Sequence, residues 1–332
     1  MKAVIVGCGI SGATAAFLLK TKGYDVEIFE TRPHIAGNCY DEIQNGVVVH
    51  KYGAHVFHTN IDKIWNFVNQ FSKFNTFCPI VYADTKKGII PIPFDDRGKD
   101  IIGPQTPDSI VDLIFRDYSE KMWGKKWEDL PAEITARIPR IREGINPCYH
   151  KDKYHGVPVN GYVEMFTNML DGIRVHVGCS DNDWKKQTAD LFVYTGKIDQ
   201  YFNYCYGRLG YRSLIFDWLE KPKQKYFQVN ECNQDKKWLR EIDHSFFYNQ
   251  NVEKTITHRE YSCEHDDSNE PFYPENYGEN PLLFKQYNSL VKKERNVIFT
   301  GRLATYKYID LDTAVAQTMM KLDRYFNGKE AK

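Results

Sequence analysis

The chain has 332 residues, more than one typical domain and fewer than three, which predicts one large or two intimate domains around a sizeable core. Its 44 basic and 44 acidic residues balance, removing the electrostatic case for a nucleic acid or membrane surface as partner, so an anionic ligand would have to meet local arginines. The eight cysteines (Cys8, Cys39, Cys78, Cys148, Cys179, Cys205, Cys232, Cys263) show no CxxC pair and no metal-ligand spacing, so reduced thiols in a cytoplasmic protein, mostly buried filler, are expected and no metal site.

The opening MKAVIVGCGISGATAAFLL imitates a secretory signal, but its glycines keep a fixed spacing and its strand-loop-helix rhythm runs on into a second strand. No segment reaches the ~18 uninterrupted apolar residues of a membrane span, so a soluble protein is expected. Residues 3–6 read as a buried strand, followed at once by Gly7, Gly9 and Gly12 in GxGxxG order and by a helix over 13–20. The first two glycines suit a tight turn and close backbone approach to a pyrophosphate, Gly12 suits close helix–strand packing, and Ser11 lies inside the same turn. Residues 25–29 read as the second strand, ending in Glu30, where a carboxylate accepts ribose hydroxyls and repels a 2′-phosphate. FAD and NAD both remain open on these residues. Arg32 and the small-residue run Ala36-Gly37-Asn38 favour FAD, because flavoproteins of this type return a second glycine-rich loop over the pyrophosphate. Near the far end a strand over 297–300 runs into Gly301-Arg302 and a helix over 311–324, which predicts a cofactor domain built from both ends of the chain, with Arg302 on the diphosphate.

The run His50-Lys51-Tyr52-Gly53-Ala54-His55-Val56-Phe57-His58-Thr59-Asn60 closely resembles the signature that follows the first cofactor segment of the UDP-galactopyranose mutase family. Further blocks come in family order: 118–124 (YSEKMWG), Leu130-Pro131 through Arg137-Ile138-Pro139, 156–162 (GVPVNGY), 194–199 (YTGKID), 211–214 (YRSL), Arg259-Glu260-Tyr261, 270–274 (EPFYP) and 301–310 (GRLATYKYID). The resemblance implies an α/β fold: a discontinuous Rossmann-like FAD-binding domain (1–85 and 295–328), a small reduced helical lid domain (95–135), a mixed segment (140–190) and an antiparallel-sheet substrate domain (191–290). The link between Pro93-Phe94 and Tyr118 is shorter than the helical bundle of the bacterial enzymes, so the family's dimer is not assured and a monomer or a differently built dimer is expected. Where the family has IGGN the chain has Ile35-Ala36-Gly37-Asn38, an alanine expected to cost only backbone freedom.

The resemblance further implies a pyranose–furanose mutase acting on UDP-galactopyranose or a related UDP-pyranose, such as the arabinose or N-acetylgalactosamine nucleotide. In it, N5 of reduced FAD attacks the anomeric carbon without net redox change. Arg137 and Arg259 match two arginines that clamp the diphosphate, and Tyr149, Tyr287 and Tyr308 match tyrosines whose hydroxyls reach the phosphates, with Asp310 beside the last. Tyr118 matches the ring stacked on uracil and Trp123 falls in the lid. His55 and His58 lie in the loop against the isoalloxazine, with His58 assigned to catalysis, and Arg240 aligns with a further arginine near the flavin. With 22 tyrosines in the chain, core packing is the competing reading for any one of them, as solvation is for a lone arginine. Rival assignments are an amine-oxidase-like flavoenzyme, sharing the glycine turn and Glu30, and a nucleotide-sugar binding protein without turnover.

Overall fold

The computed structural model describes residues 1–136 and 141–330, apart from the side chains of Glu133, Lys329 and Glu330. Arg137, expected in the clamp, lies outside the described residues.

Five parallel strands form the first sheet, in the order Val297–Phe299, Leu191–Tyr194, Lys2–Val6, Asp25–Phe29, Arg174–His176. Lys2–Val6 is central and, beyond Lys2, buried throughout, as its unbroken apolar run requires of a strand covered on both faces. The helix Ile10–Thr21 turns its small residues Ala13 and Ala16 to a core shared with Val315, Met319 and Leu322 of the helix Leu311–Glu330. The opening segment is thus the middle of a folded sheet, whose strands beyond Asp25–Phe29 come from the centre and the end of the chain.

The second sheet has seven strands, in the order Tyr273–Pro274, Tyr211–Pro222, Lys254–Glu264, Arg240–Asp243, Gln228–Glu231, Val81–Thr85, Gly88–Ile92. It is mixed rather than wholly antiparallel, because Gln228–Glu231 runs parallel to Val81–Thr85. The expected boundaries shift accordingly: Val81–Thr85, placed with the cofactor segment, pairs into the second sheet, while Leu191–Tyr194, placed with the substrate domain, belongs to the first. Side chains alternate across a strand, so the pairings Arg240 with Glu260 and Glu241 with Arg259 put the two arginines on opposite faces.

The shortened helical segment consists of Asp96–Ile102, Pro107–Ile110, one π-helical turn at Val111–Phe115, and Arg116–Trp123. Ile110, Ile114 and Phe115 pack on Val81, Ile90 and Ile92 of the sheet. Lys121 fastens the last helix, its ammonium among the carbonyl oxygens of Glu231, Asn233, Lys236 and Trp238 at 2.8–3.1 Å. Cys78 and Cys148 form a disulfide with a Cα–Cα distance of 5.4 Å, against the expectation of reduced thiols throughout. The two are separated by 70 residues, a pairing no local spacing announces. Cys8 and Cys39 do behave as filler, burial pushing both thiols up to about 12. No helix among the described residues is long and apolar enough to cross a membrane.

Candidate active site

Two cavities, of about 510 and 500 Å³, meet at Asn38, His55, Phe272, Arg302, Asp310 and Leu311, residues common to both linings.

The first lies over the glycine turn at the carboxyl end of Lys2–Val6 and is lined by Gly7, Gly9, Ser11, Glu30, Arg32, Gly37 and Asn38. Gly7 has φ +97°, and a Cβ there would lie 2.1 Å from the Thr195 hydroxyl. Gly12 does not line the cavity; a Cβ on it would sit 1.9 Å from the Gly7 carbonyl, so it serves the packing expected of it. Glu30 is buried, accepting the Cys8 amide at 2.6 Å on one oxygen and the Arg32 amide at 2.9 Å on the other, which ties the acid to the turn it serves. Acceptor capacity remains on the carboxylate for a ribose hydroxyl. Arg32 lies over the Tyr52 ring at 4.2 Å and gives one terminal nitrogen to Glu270 at 2.9 Å, while its buried Nη1 has no partner. A buried guanidinium donor left unpaired in a cavity lined by a glycine turn is what a diphosphate would satisfy. The residues therefore fit a dinucleotide such as FAD. Arg302 is placed differently from expectation: its terminal nitrogens donate to the carbonyls of Phe272 at 3.0 Å and Ile309 at 2.8 Å, so it braces the junction between the cavities. Ala36 has φ +73°, so its cost exceeds backbone freedom: a Cβ is held in the left-handed region.

The second cavity is lined by the aromatic rings of Phe115, Tyr118, Trp123, Tyr149 and Tyr308, with Asp310, His55 and His58. Burial pushes the Tyr118 hydroxyl well above its ordinary range, so it remains a neutral donor. His58 holds Asp152 through Nδ1 at 2.8 Å and stacks on His150 with ring centroids 3.7 Å apart. Burial, then the neighbouring His58 charge, brings His150 down to about 4. His55 is likewise lowered to about 4, burial first, with its Nδ1 2.8 Å from the Gly53 carbonyl.

Two expected ligands fall elsewhere. Arg259 lines neither cavity; on the opposite face of the sheet it bonds Glu241 at 2.9 Å and lies over the Trp238 ring at 4.2 Å. One strand away, Arg240 lies on the cavity face, with Nε bonded to Glu260 at 2.7 Å. Tyr287, on the helix Asn280–Val291, is fully buried and donates its hydroxyl to the Gly207 carbonyl at 2.6 Å, a core role. Sequence reasoning passed over Glu260, His150 and Asp152. Glu260 stands between Arg259 and Tyr261 in its strand, and nothing in that local sequence announces its partners.

A family model described as UDP-galactopyranose mutase matches residues 113–308, and one described as an NAD(P)-binding Rossmann-like domain matches residues 5–71. The chain belongs to the UDP-galactopyranose mutase family. Among curated relatives, the probable UDP-galactopyranose mutase of Klebsiella pneumoniae is 30% identical, across 98% of this chain and 94% of its own length. The dTDP-fucopyranose mutase of Escherichia coli is 29% identical, across 99% of this chain and 100% of its own length. A solved structure of reduced UDP-galactopyranose mutase superposes with a TM-score of 0.76 over 98% of this chain and 95% of that one at 13% identity, which shows the shared fold. The chain is accordingly an isomerase of the mutase class.

Proposed function

We propose that the protein interconverts the pyranose and furanose forms of a nucleoside-diphosphate sugar, with FAD in the first cavity and the sugar nucleotide in the second. The observation that carries this reading is the junction at Asn38, His55, Arg302 and Asp310, beside a half-buried arginine, Arg240, that faces the second cavity alone. Gly7, Gly9, Gly37 and Arg32 would hold the FAD diphosphate and Glu30 its ribose. Bound FAD in its reduced form would supply a nucleophilic N5 for the anomeric carbon, with no net redox change.

The chain's own part is electrostatic. The Tyr118–Trp123 wall stacks the base, and Arg240 with the hydroxyls of Tyr149 and Tyr308 holds the diphosphate while the bond from anomeric carbon to phosphate oxygen breaks. His58, oriented by Asp152, handles a proton at the sugar end. The aromatic wall and the arginine recognise the nucleoside diphosphate common to the UDP and dTDP sugars that name the relatives; UDP-galactopyranose is the first substrate to test. A cationic amine would meet the Arg240 charge, which disfavours an amine-oxidase reading.

The test is to load the protein with FAD, reduce it with dithionite and incubate it with UDP-galactopyranose, UDP-arabinopyranose, UDP-N-acetylgalactosamine and dTDP-fucopyranose. Chromatography is expected to show a furanose product over many turnovers per reduction. Failure to take up FAD, or one reductant consumed per sugar converted, would end the proposal.

A further inference from the structure

Behind Arg240 runs a file of polar side chains that the reaction above leaves without a task. Glu260, His258, His244 and His50 are each 0% exposed, a placement that is costly unless their polar atoms are paired, and of the four only His50 leaves a ring nitrogen, Nε2, without a partner. Their protons can be placed by elimination. The backbone N–H of His50 donates to Nδ1 of His244 at 3.1 Å, so the single proton of that ring lies on Nε2. Nε2 of His244 is 2.6 Å from Nδ1 of His258 and donates to it, which leaves the His258 proton on its own Nε2. That nitrogen donates at 3.0 Å to Oε1 of Glu260, whose Oε2 accepts Nε–H of Arg240 at 2.7 Å. Protons on both nitrogens of His258 would leave His244, already an acceptor at Nδ1, with no proton at all. One backbone amide therefore sets the direction of the whole file.

We propose that His244, His258 and Glu260 form a positioning relay that aims the Arg240 guanidinium at the substrate diphosphate. The proposal rests on the reading that Arg240 meets that diphosphate. An arginine side chain has wide rotamer freedom, and a carboxylate on Nε fixes the plane of the fork while leaving both terminal nitrogens for the ligand. Among the described residues the Arg240 side chain makes its only hydrogen bond through Nε. Glu260 must itself be kept from rotating, and a histidine donor does this without introducing a second cation to compete for the carboxylate. The far end of the file holds the cofactor side: His50 Nδ1 accepts the backbone N–H of His55 at 3.2 Å, and His55 lines both cavities. The arginine and the loop that faces the junction hang from one scaffold.

His258→Phe keeps a ring of similar volume and removes both polar atoms, whereas His258→Gln restores one donor and one acceptor. In FAD-loaded, reduced protein, His258→Phe is expected to lower kcat about tenfold at unchanged FAD content, and His258→Gln to recover most of the loss. The double variant Arg240→Ala/His258→Phe should turn over no more slowly than Arg240→Ala alone, because a relay acting through Arg240 has nothing left to aim. Losses that multiply in the double variant would overturn the relay and leave the site reading intact. Normal turnover by Arg240→Ala alone would remove the site reading and the relay with it. Should His258→Phe not fold, 15N NMR of the unaltered protein decides: both His244 and His258 are expected as neutral Nε2–H tautomers, and an Nδ1–H or charged ring at either position would overturn the proposal.

Discussion

The two cavities were built by different means. The first draws its turn, helix and acid from residues 7–38, one continuous stretch in which each side chain's place follows from the strand and turn just before it. The second assembles Tyr118, Tyr149, Arg240 and Tyr308 from four separate segments, and its arginine is selected by strand register. A site element written in one stretch is legible from spacing. One assembled across strands depends on a parity that a shift of a single residue reverses.

The sharpest way to break this comparison is to exchange the two arginines as targets. Arg240→Ala is expected to lose about 2.7–4 kcal/mol of transition-state stabilisation, two to three decades in turnover, with FAD retained. Arg259→Ala removes a partly exposed bond to Glu241 and a stack on Trp238, so turnover of the reduced enzyme should stay within about threefold. The reverse ranking would mean that the register of Lys254–Glu264 differs from that described.

The first cavity is tested by Glu30→Ala, which removes the acceptor of the Cys8 and Arg32 amides as well as any ribose contact. FAD affinity should weaken by about 1–3 kcal/mol, read by titration of the apoprotein, and unchanged affinity would show that the acid serves the fold alone.

Four histidines predict a stability profile. His55 and His150 are lowered to about 4, and His50 and His244 well below their ordinary value of 6.5, with burial the first cause in each. Their folded values lie below the unfolded one, so above pH 6.5 both states are neutral and nothing is lost. As pH falls from 6.5 towards 4 the unfolded chain binds the additional protons, and stability should decline by up to about 1.4 kcal/mol per pH unit for each group. Denaturant midpoints at pH 7.5, 6 and 5 would follow this; a flat profile would show that these rings are hydrated.

The smallest effect is expected at Ala36, where φ is +73°. Ala36→Gly relieves a left-handed alanine and should stabilise the protein by up to about 1 kcal/mol, less the extra freedom of the unfolded glycine. A drop in thermal midpoint would mean that the alanine methyl packs well enough to outweigh its backbone.

By itself the sequence determined the dinucleotide turn, the acid that closes it, the return of the chain's end to the first sheet, and the family. The turn and its acid rest on contiguous residues, and the return of the chain's end and the family rest on short blocks each readable in its own stretch. Only the tertiary structure decided that Arg240 and not Arg259 faces the cavity, that Tyr287 is core while Tyr149 and Tyr308 line the site, and that Cys78 meets Cys148. It alone showed Arg302 spending its fork on backbone carbonyls and Glu260 drawing three histidines into line. The physical reason is common to all of these. A residue's type states what bonds it can make, but which of two faces it occupies, and which distant partner is there to meet it, is set by strand pairing and packing, and neither leaves a mark in local spacing.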